Sequence, residues 1–184
     1  MSIPNILTFA RILIIPFFLV VYYLPFQGAN IVTAILFAIA CLTDWLDGYL
    51  ARKLEQSSRL GAFLDPVADK LLVSVALVLL VGDYGTIWVT LPAAIIVSRE
   101  IAISALREWM AEMGNRISVR VSNLAKVKTF FQMLSIILLL SQPVSLTSII
   151  VILGLVLMYI AVGLTLWSMY SYLQAAWQEI KKGA

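Results

Sequence analysis

Four aspartates in two short stretches of the chain have the spacing of side chains that share a helix face. Asp44 and Asp47 are three residues apart in TDWLDGYLAR, and Asp65 and Asp69 are four residues apart in GAFLDPVADK. Residues three or four apart are neighbours on the surface of a helix. Each stretch would therefore present two carboxylates on one side of its helix.

Four clustered carboxylates point to divalent-metal chemistry. The connection between the two stretches is short, so the two helices would be antiparallel neighbours. Unpaired carboxylates in one partly desolvated site repel each other, and paired acids on facing helices are a known way to build a two-metal site. The chain has no histidine and one cysteine, Cys41. Carboxylate ligands alone suit hard cations such as Mg²⁺, Mn²⁺ or Ca²⁺.

Small residues beside the acids would leave space for a phosphate-bearing ligand. Gly48 and Ala51 follow the first pair of acids, and Gly61 and Ala62 precede the second. Glycine allows a ligand to approach the backbone closely. Arg52 supplies a bidentate partner for phosphate. No GxxxxGK loop occurs, so metals and arginine would hold the phosphate.

The composition predicts an all-α integral membrane protein. Of the 184 residues, 62% are hydrophobic and 12% are charged, whereas a soluble domain has about 45–50% apolar and about 25% charged residues. Six apolar segments predict six transmembrane helices in one bundle, a single domain over residues 1–184. The segments are approximately 5–25, 30–52, 60–82, 86–112, 120–141 and 146–174. The first is expected to be a retained span, since its apolar run is too long for a signal peptide.

The basic residues predict the orientation. The breaks at 24–30, 81–85 and 141–145 contain no Lys or Arg, and all 13 basic residues lie on the other side or in helices running toward it. Positive charge marks the cytoplasmic side, so both termini are expected in the cytoplasm. Of the ten acids, only Asp83 lies in an outer loop. A multi-pass protein of the bacterial cytoplasmic (inner) membrane, with its site open to the cytoplasm, is therefore predicted.

The two aspartate stretches together form the pattern D-x2-D-G-x2-A-R-x8-G-x3-D-x3-D, from Asp44 to Asp69. This pattern resembles the signature of the CDP-alcohol phosphotransferase family and has no departure from it. The likeness covers most of the chain through PNILTFARILIIPFF, SREIAISALREWMAE and KVKT. These stretches are similar to the bacterial branch of the family that uses glycerol 3-phosphate.

The resemblance implies an enzyme of phospholipid biosynthesis. Family members are six-helix membrane enzymes, usually homodimers, that displace CMP from a CDP-linked lipid with an alcohol. For this chain the implied reaction transfers the phosphatidyl group from CDP-diacylglycerol to sn-glycerol 3-phosphate, giving phosphatidylglycerophosphate and CMP. Membrane lipid and a second copy of the chain are the expected partners, and no nucleic acid is expected.

The resemblance also assigns residues. Two divalent cations, Mg²⁺ or Mn²⁺, would be held by Asp44, Asp47, Asp65 and Asp69. Of these, Asp69 matches the family's proposed general base. Positions at the CDP-lipid site match Gly48, Arg52, Ser58 and Gly61, with Asn5 and Thr8 as weaker candidates.

An anionic acceptor would need a cationic pocket beside the metals. The leading phosphate ligands are Arg107 and Lys126, with Arg99, Arg120 and Lys128 behind them. The alternative is that Arg99–Glu100 and Arg107–Glu108 are structural ion pairs, or that these long side chains extend along apolar surface to reach water.

Other interpretations remain open. The four acids could be helix-end carboxylates paired with nearby Arg and Lys residues. The acceptor could be another alcohol. The chain could be a cation or proton transporter, although the acids gather at one end and no inverted repeat pairs the two halves, or it could be a non-catalytic assembly subunit. Separately, Gly154 and Gly163 are expected to allow close helix packing.

Overall fold

The structure, a computed structural model, describes residues 3–54, 59–112 and 123–183. Side chains are described within 12–43, 67–106 and 126–174, and at 64, 108–110, 112 and 177. This part of the chain forms six α-helices. They are α1 (Ile3–Tyr23), α2 (Ala29–Leu54), α3 (Arg59–Tyr84), α4 (Ile87–Glu112), α5 (Asn123–Leu140) and α6 (Ile149–Gly183).

The prediction of six helices is confirmed, and the largest difference in bounds lies at the end of α6. The apolar segment was predicted to end near residue 174, but α6 continues to Gly183. The additional stretch, AAWQEIKKG, is more polar than the rest of α6 yet consists largely of good helix formers. A hydropathy boundary is therefore not a helix boundary here.

Two glycines with positive φ help the chain to reverse direction at the same end of the bundle. Gly28, just before α2, has a φ of 87°, and Gly85, just before α4, has a φ of 55°. Glycine adopts this left-handed region without the steric cost that a Cβ brings. Both residues lie in breaks that were predicted to be outer loops.

One apolar core joins all six helices. Its fully buried side chains include Phe18 of α1, Phe37 of α2, Leu72 of α3 and Ile96 of α4. Ile136 of α5 and Met158 of α6 complete it from the other side. The rings of Phe18 and Phe37 have centroids 6.2 Å apart. A shared core of this kind fixes the relative positions of the helices, and with them the positions of the polar side chains they carry.

Among the described residues, α5 and α6 pack against each other most extensively, followed by α1 and α2. A Cβ at Gly154 of α6 would lie 3.0 Å from Leu139 Cγ of α5. A Cβ at Gly163 would have nothing within 4 Å. The expected close packing therefore holds for Gly154 and is wrong for Gly163.

Within the part of the chain that the structure describes, two helices are long and apolar enough to cross a membrane, judged by length and composition. They are Ile87–Met110 within α4 and Ile149–Gln174 within α6. Shorter apolar helical stretches occupy Ile12–Tyr23 and Ala29–Thr43. Large apolar side chains such as Ile101 and Trp167 are exposed on the outside of the bundle. Such a surface suits contact with lipid better than contact with water.

Candidate active site

The helices α2 and α3 carry the four aspartates at matching distances from the connection between them. Asp44 lies ten residues before the end of α2, and Asp69 lies ten residues after the start of α3, which is about 15 Å along each axis. Asp47 and Asp65 are similarly close to the connection, at about 9–11 Å. The backbone thus places all four positions at the same end of two consecutive helices.

Of these four side chains, only that of Asp69 is among those described, and it is partly exposed. The side chains of Asp44, Asp47 and Asp65 lie outside the described set. No group of three or more potential metal ligands occurs among the described side chains, which include Asp69 but not the other three aspartates. The all-carboxylate donor set suits a hard divalent cation, and the convergence of the four carboxylates stays a prediction.

A contact next to Asp69 bears on the alternative that nearby basic residues neutralise the acids. Lys70 of α3 donates a hydrogen bond to the Ser104 hydroxyl of α4. The Ser104 hydroxyl in turn donates to the Glu100 carbonyl oxygen, at 2.8 Å. Lys70, one of the basic residues near the acids, therefore links α3 to α4 through Ser104.

The positions assigned to the CDP-lipid site fall on the same end of the first three helices. Asn5 and Thr8 belong to α1, Gly48 and Arg52 to α2, and Gly61 to α3. Their side-chain surroundings lie outside the described residues, and Ser58 lies outside them altogether. These assignments remain predictions.

The predicted acceptor-site cations Arg99 and Lys128 converge on one carboxylate. Arg99 Nη1 donates to Glu100 Oε1 at 2.8 Å, and Lys128 Nζ donates to the same oxygen at 2.9 Å. The side chains of Arg99 and Lys128 are 9% and 8% exposed, and that of Glu100 is 29% exposed. The Arg99–Glu100 ion pair that the sequence offered as an alternative is thus present. Lys128 of α5 joins it from a different helix.

The network continues into α6 through a residue that sequence reasoning missed. Arg99 Nη2 donates to Ser168 Oγ at 2.8 Å, and Ser168 Oγ donates to the Thr165 carbonyl oxygen at 2.9 Å. The Nε of Arg99 and the Oγ1 of Thr165 are buried without a hydrogen-bond partner. A single serine in an apolar helix gives no signal in the sequence that it will meet an arginine.

The other predicted acceptor ligands are placed less completely. Lys126, near the start of α5, is exposed. Arg107 belongs to α4, but its side chain is not among those described, and Arg120 lies outside the described residues. Of the three candidates whose side chains are described, the structure brings Arg99 and Lys128 onto the same carboxylate.

The opposite end of the bundle holds a second, smaller polar group. The Tyr22 hydroxyl of α1 donates to the Asp83 carboxylate of α3 and lies 3.4 Å from the Leu79 carbonyl oxygen. Tyr84 also lines a cavity of about 40 Å³ there, and burial, aided by the charge of Asp83, raises its pKa above the ordinary tyrosine value. Asp83 therefore helps to hold α1 against α3, far from the acids proposed for catalysis.

Comparison with known protein families identifies the family of this chain. The family model for CDP-alcohol phosphatidyltransferase matches residues 1–167, so the chain belongs to this family, and the predicted resemblance is confirmed. Members of the family generally depend on divalent cations. Family membership and the apolar helices both indicate a membrane protein.

Three relatives cover nearly the whole chain, and each is named CDP-diacylglycerol–glycerol-3-phosphate 3-phosphatidyltransferase. The protein of Pseudomonas fluorescens is 55% identical over 98% of this chain and 93% of its own length. That of Salmonella typhimurium strain LT2 is 55% identical over 95% of this chain and 94% of its own. That of Yersinia pestis strain Pestoides F is 54% identical over 98% and 97%, respectively.

Proposed function

We propose that this protein is a phosphatidylglycerophosphate synthase that transfers the phosphatidyl group of CDP-diacylglycerol to sn-glycerol 3-phosphate, releasing CMP. The observation that carries the proposal is an identity of 54–55% over nearly the full chain with relatives that bear the name of this activity. The complete eight-residue pattern on α2 and α3 supports it.

Asp44, Asp47, Asp65 and Asp69 would hold two divalent cations, Mg²⁺ or Mn²⁺. Bound cations would neutralise charge on the diphosphate and on the departing CMP. The matched positions of the four residues along α2 and α3 support this assignment. The composition also supports it, because the chain has no histidine and only one cysteine, which leaves carboxylates as the natural ligands.

Asp69 is the proposed general base. The acceptor hydroxyl oxygen attacks the phosphorus that carries the diacylglycerol, the bond from that phosphorus to the CMP oxygen breaks, and the hydroxyl proton passes to the Asp69 carboxylate. Because an alcohol is far less acidic than a carboxylic acid, proton transfer accompanies the attack and does not precede it. Attack is direct, with no covalent enzyme intermediate, since all four aspartates are assigned to metal binding.

The two substrates would approach from the same end of the bundle. The CDP-lipid is bound by Gly48, Arg52, Ser58 and Gly61, with Asn5 and Thr8 from α1. The acceptor phosphate is bound by Arg107 and Lys126, with Arg99, Arg120 and Lys128 behind them. The presence of two buried cations, Arg99 on α4 and Lys128 on α5, supports an anion site where both helices pack against α6.

The protein would reside in the bacterial cytoplasmic membrane as a multi-pass homodimer with both termini in the cytoplasm. The apolar helices and the distribution of the 13 basic residues support this placement. With this orientation the aspartates of α2 and α3 face the compartment that supplies a water-soluble acceptor.

The test is CMP release from CDP-diacylglycerol by the purified protein, with a panel of acceptors and with added Mg²⁺ or Mn²⁺. Metal-dependent release with glycerol 3-phosphate is the expected result. Release with serine or inositol phosphate, but not with glycerol 3-phosphate, would refute the acceptor alone. No metal-dependent release with any acceptor would refute the whole reaction.

A further inference from the structure

The polar network of α4, α5 and α6 places two cations behind a carboxylate. Arg99 and Lys128 are almost fully buried, whereas Glu100, which both contact, is 29% exposed. A solute that approaches from the accessible side therefore meets Glu100 before it meets either cation.

One hydrogen-bond donor of this network, the Nε of Arg99, has no acceptor. Both cations donate to a single oxygen, Glu100 Oε1. The Nε of Arg99 is buried and has no partner, and a buried donor left unpaired is unfavourable. A phosphate group carries three strong acceptor oxygens. A bound phosphate could thus accept hydrogen bonds from Arg99 and Lys128 through separate oxygens, and could also accept one from Arg99 Nε. Glu100 Oε1 accepts from both cations but leaves Arg99 Nε without a partner.

We propose that Glu100 is an internal counter-ion that covers Arg99 and Lys128 while the acceptor site is empty and yields them to the phosphate of the acceptor. Exchange of this kind is open only to an anion, because a neutral alcohol would not replace the displaced carboxylate charge. Glu100 would accordingly favour phosphorylated acceptors over neutral ones. The inference rests on the proposed function, since it takes glycerol 3-phosphate as acceptor and both cations as ligands of its phosphate.

The direct test measures anion-dependent thermal stability without turnover. Wild-type protein, Glu100→Gln and the control Glu108→Gln are melted in detergent with increasing inorganic phosphate or glycerol 3-phosphate, against chloride at equal ionic strength. Glu108 is an exposed acid two turns further along α4, so its substitution removes the same charge outside the network.

Glu100→Gln is expected to have a Tm several degrees below wild type in chloride, because two buried cations lose the carboxylate that both contact. Phosphate should restore the Tm along a saturable curve, and its apparent affinity for Glu100→Gln should be about tenfold tighter than for wild type. The affinity becomes tighter because phosphate no longer has to displace the Glu100 carboxylate from the two cations. Glu108→Gln should behave as wild type. A Tm loss that phosphate does not restore, or that chloride restores equally, would overturn the proposal and leave Glu100 a structural ion-pair partner.

A kinetic measurement separates this inference from the proposed reaction. Glu100→Gln should lower the KM for glycerol 3-phosphate and leave the KM for CDP-diacylglycerol unchanged. Glu100→Asp keeps the charge, so its KM for glycerol 3-phosphate should lie between those of wild type and Glu100→Gln. If Glu100→Gln does not fold, Glu100→Asp is used in its place, and its Tm should respond to phosphate with a tighter apparent affinity than that of wild type. The same apparent affinity as wild type would count against the proposal. Absence of CMP release by wild type, with the phosphate response intact, would refute the reaction and support the anion exchange.

Discussion

The Ser135 hydroxyl of α5 donates a hydrogen bond to the carbonyl oxygen of Gly154 on α6, at a distance of 2.8 Å. Both residues are buried, and the glycine lets α6 approach α5 closely enough for the contact to form. Because Lys128 also lies on α5 and Ser168 on α6, this contact helps to set the register of the polar network further along the same two helices.

Gly154→Val should destabilise the protein by about 1–3 kcal/mol, the usual cost of overpacking a filled site. The new side chain would meet Leu139, which is 1% exposed and has little room to move. Gly163→Ala is the control, because a Cβ there has open space, and it should be neutral or slightly stabilising. Thermal unfolding in detergent measures both, and an equal loss in the two variants would contradict the packing described for Gly154.

Asp69→Asn should reduce CMP release by at least about 100-fold, the lower range for loss of a general acid or base. Asparagine keeps the size of the side chain but neither takes the proton nor offers a charged metal ligand. The matched control is Asp83→Asn on the same helix, which should retain wild-type activity because it lies at the opposite end of α3. Rates are compared at equal amounts of folded protein. Wild-type activity in Asp69→Asn would exclude this residue as the base.

Removal of divalent cations should abolish CMP release, since the four carboxylates of α2 and α3 would then hold no cation to neutralise the charge on the diphosphate and on the departing CMP. Treatment with EDTA followed by titration of Mg²⁺ or Mn²⁺ should restore the rate along a saturable curve. Asp47→Ala should stay inactive at every metal concentration while remaining folded. Full activity after exhaustive chelation would contradict the assignment of these acids as metal ligands.

Arg107→Ala should raise the KM for glycerol 3-phosphate by about 10–100-fold, the effect of losing one charged hydrogen bond of about 1.5–3 kcal/mol. The KM for CDP-diacylglycerol should change much less. Lys181→Ala, near the C-terminal end of α6, removes the same charge from a residue outside the proposed substrate sites and should leave both constants unchanged. A larger effect on the CDP-lipid would move the acceptor pocket away from α4.

Tyr22→Phe should lower the stability by about 0.5–1.5 kcal/mol, the net value of a typical hydrogen bond, because Asp83 loses its donor from α1. Tyr23→Phe is the control, as Tyr23 is exposed and contacts Tyr22 edge-on through its ring. Activity should be unchanged in both variants. A fall in CMP release by Tyr22→Phe without a fall in Tm would show that the two ends of the bundle are coupled.

The number of helices could be predicted from the sequence because membrane thickness and backbone hydrogen bonding leave few alternatives for long apolar runs. The positions of the turns followed from short polar breaks, two of which contain glycines with positive φ. The extension of α6 to Gly183 did not follow, since hydropathy reports the lipid boundary and helix propensity decides where the backbone stops.

The polar network could be predicted only in part. Arg99 and Glu100 are adjacent in the sequence, so their pairing was an evident alternative. The contacts of Lys128 with Glu100 and of Ser168 with Arg99 depend on which helices pack together. Helices that are apolar on all sides do not reveal their neighbours in the sequence. Ser104 was missed for the same reason, because a small hydroxyl residue within an apolar helix is ordinary until a lysine from another helix reaches it.

The pairing within α4 has a consequence for the order in which the protein is made. Arg99 and Glu100 emerge from the ribosome together, whereas Ser168 follows Arg99 by 69 residues and Lys128 follows Glu100 by 28. A charged side chain alone in the bilayer costs about 2.5–3.5 kcal/mol on insertion scales. In the proposed membrane placement, the early partner at position 100 would therefore let α4 enter the bilayer as a nearly neutral segment, before the helices that later complete its contacts have been synthesised.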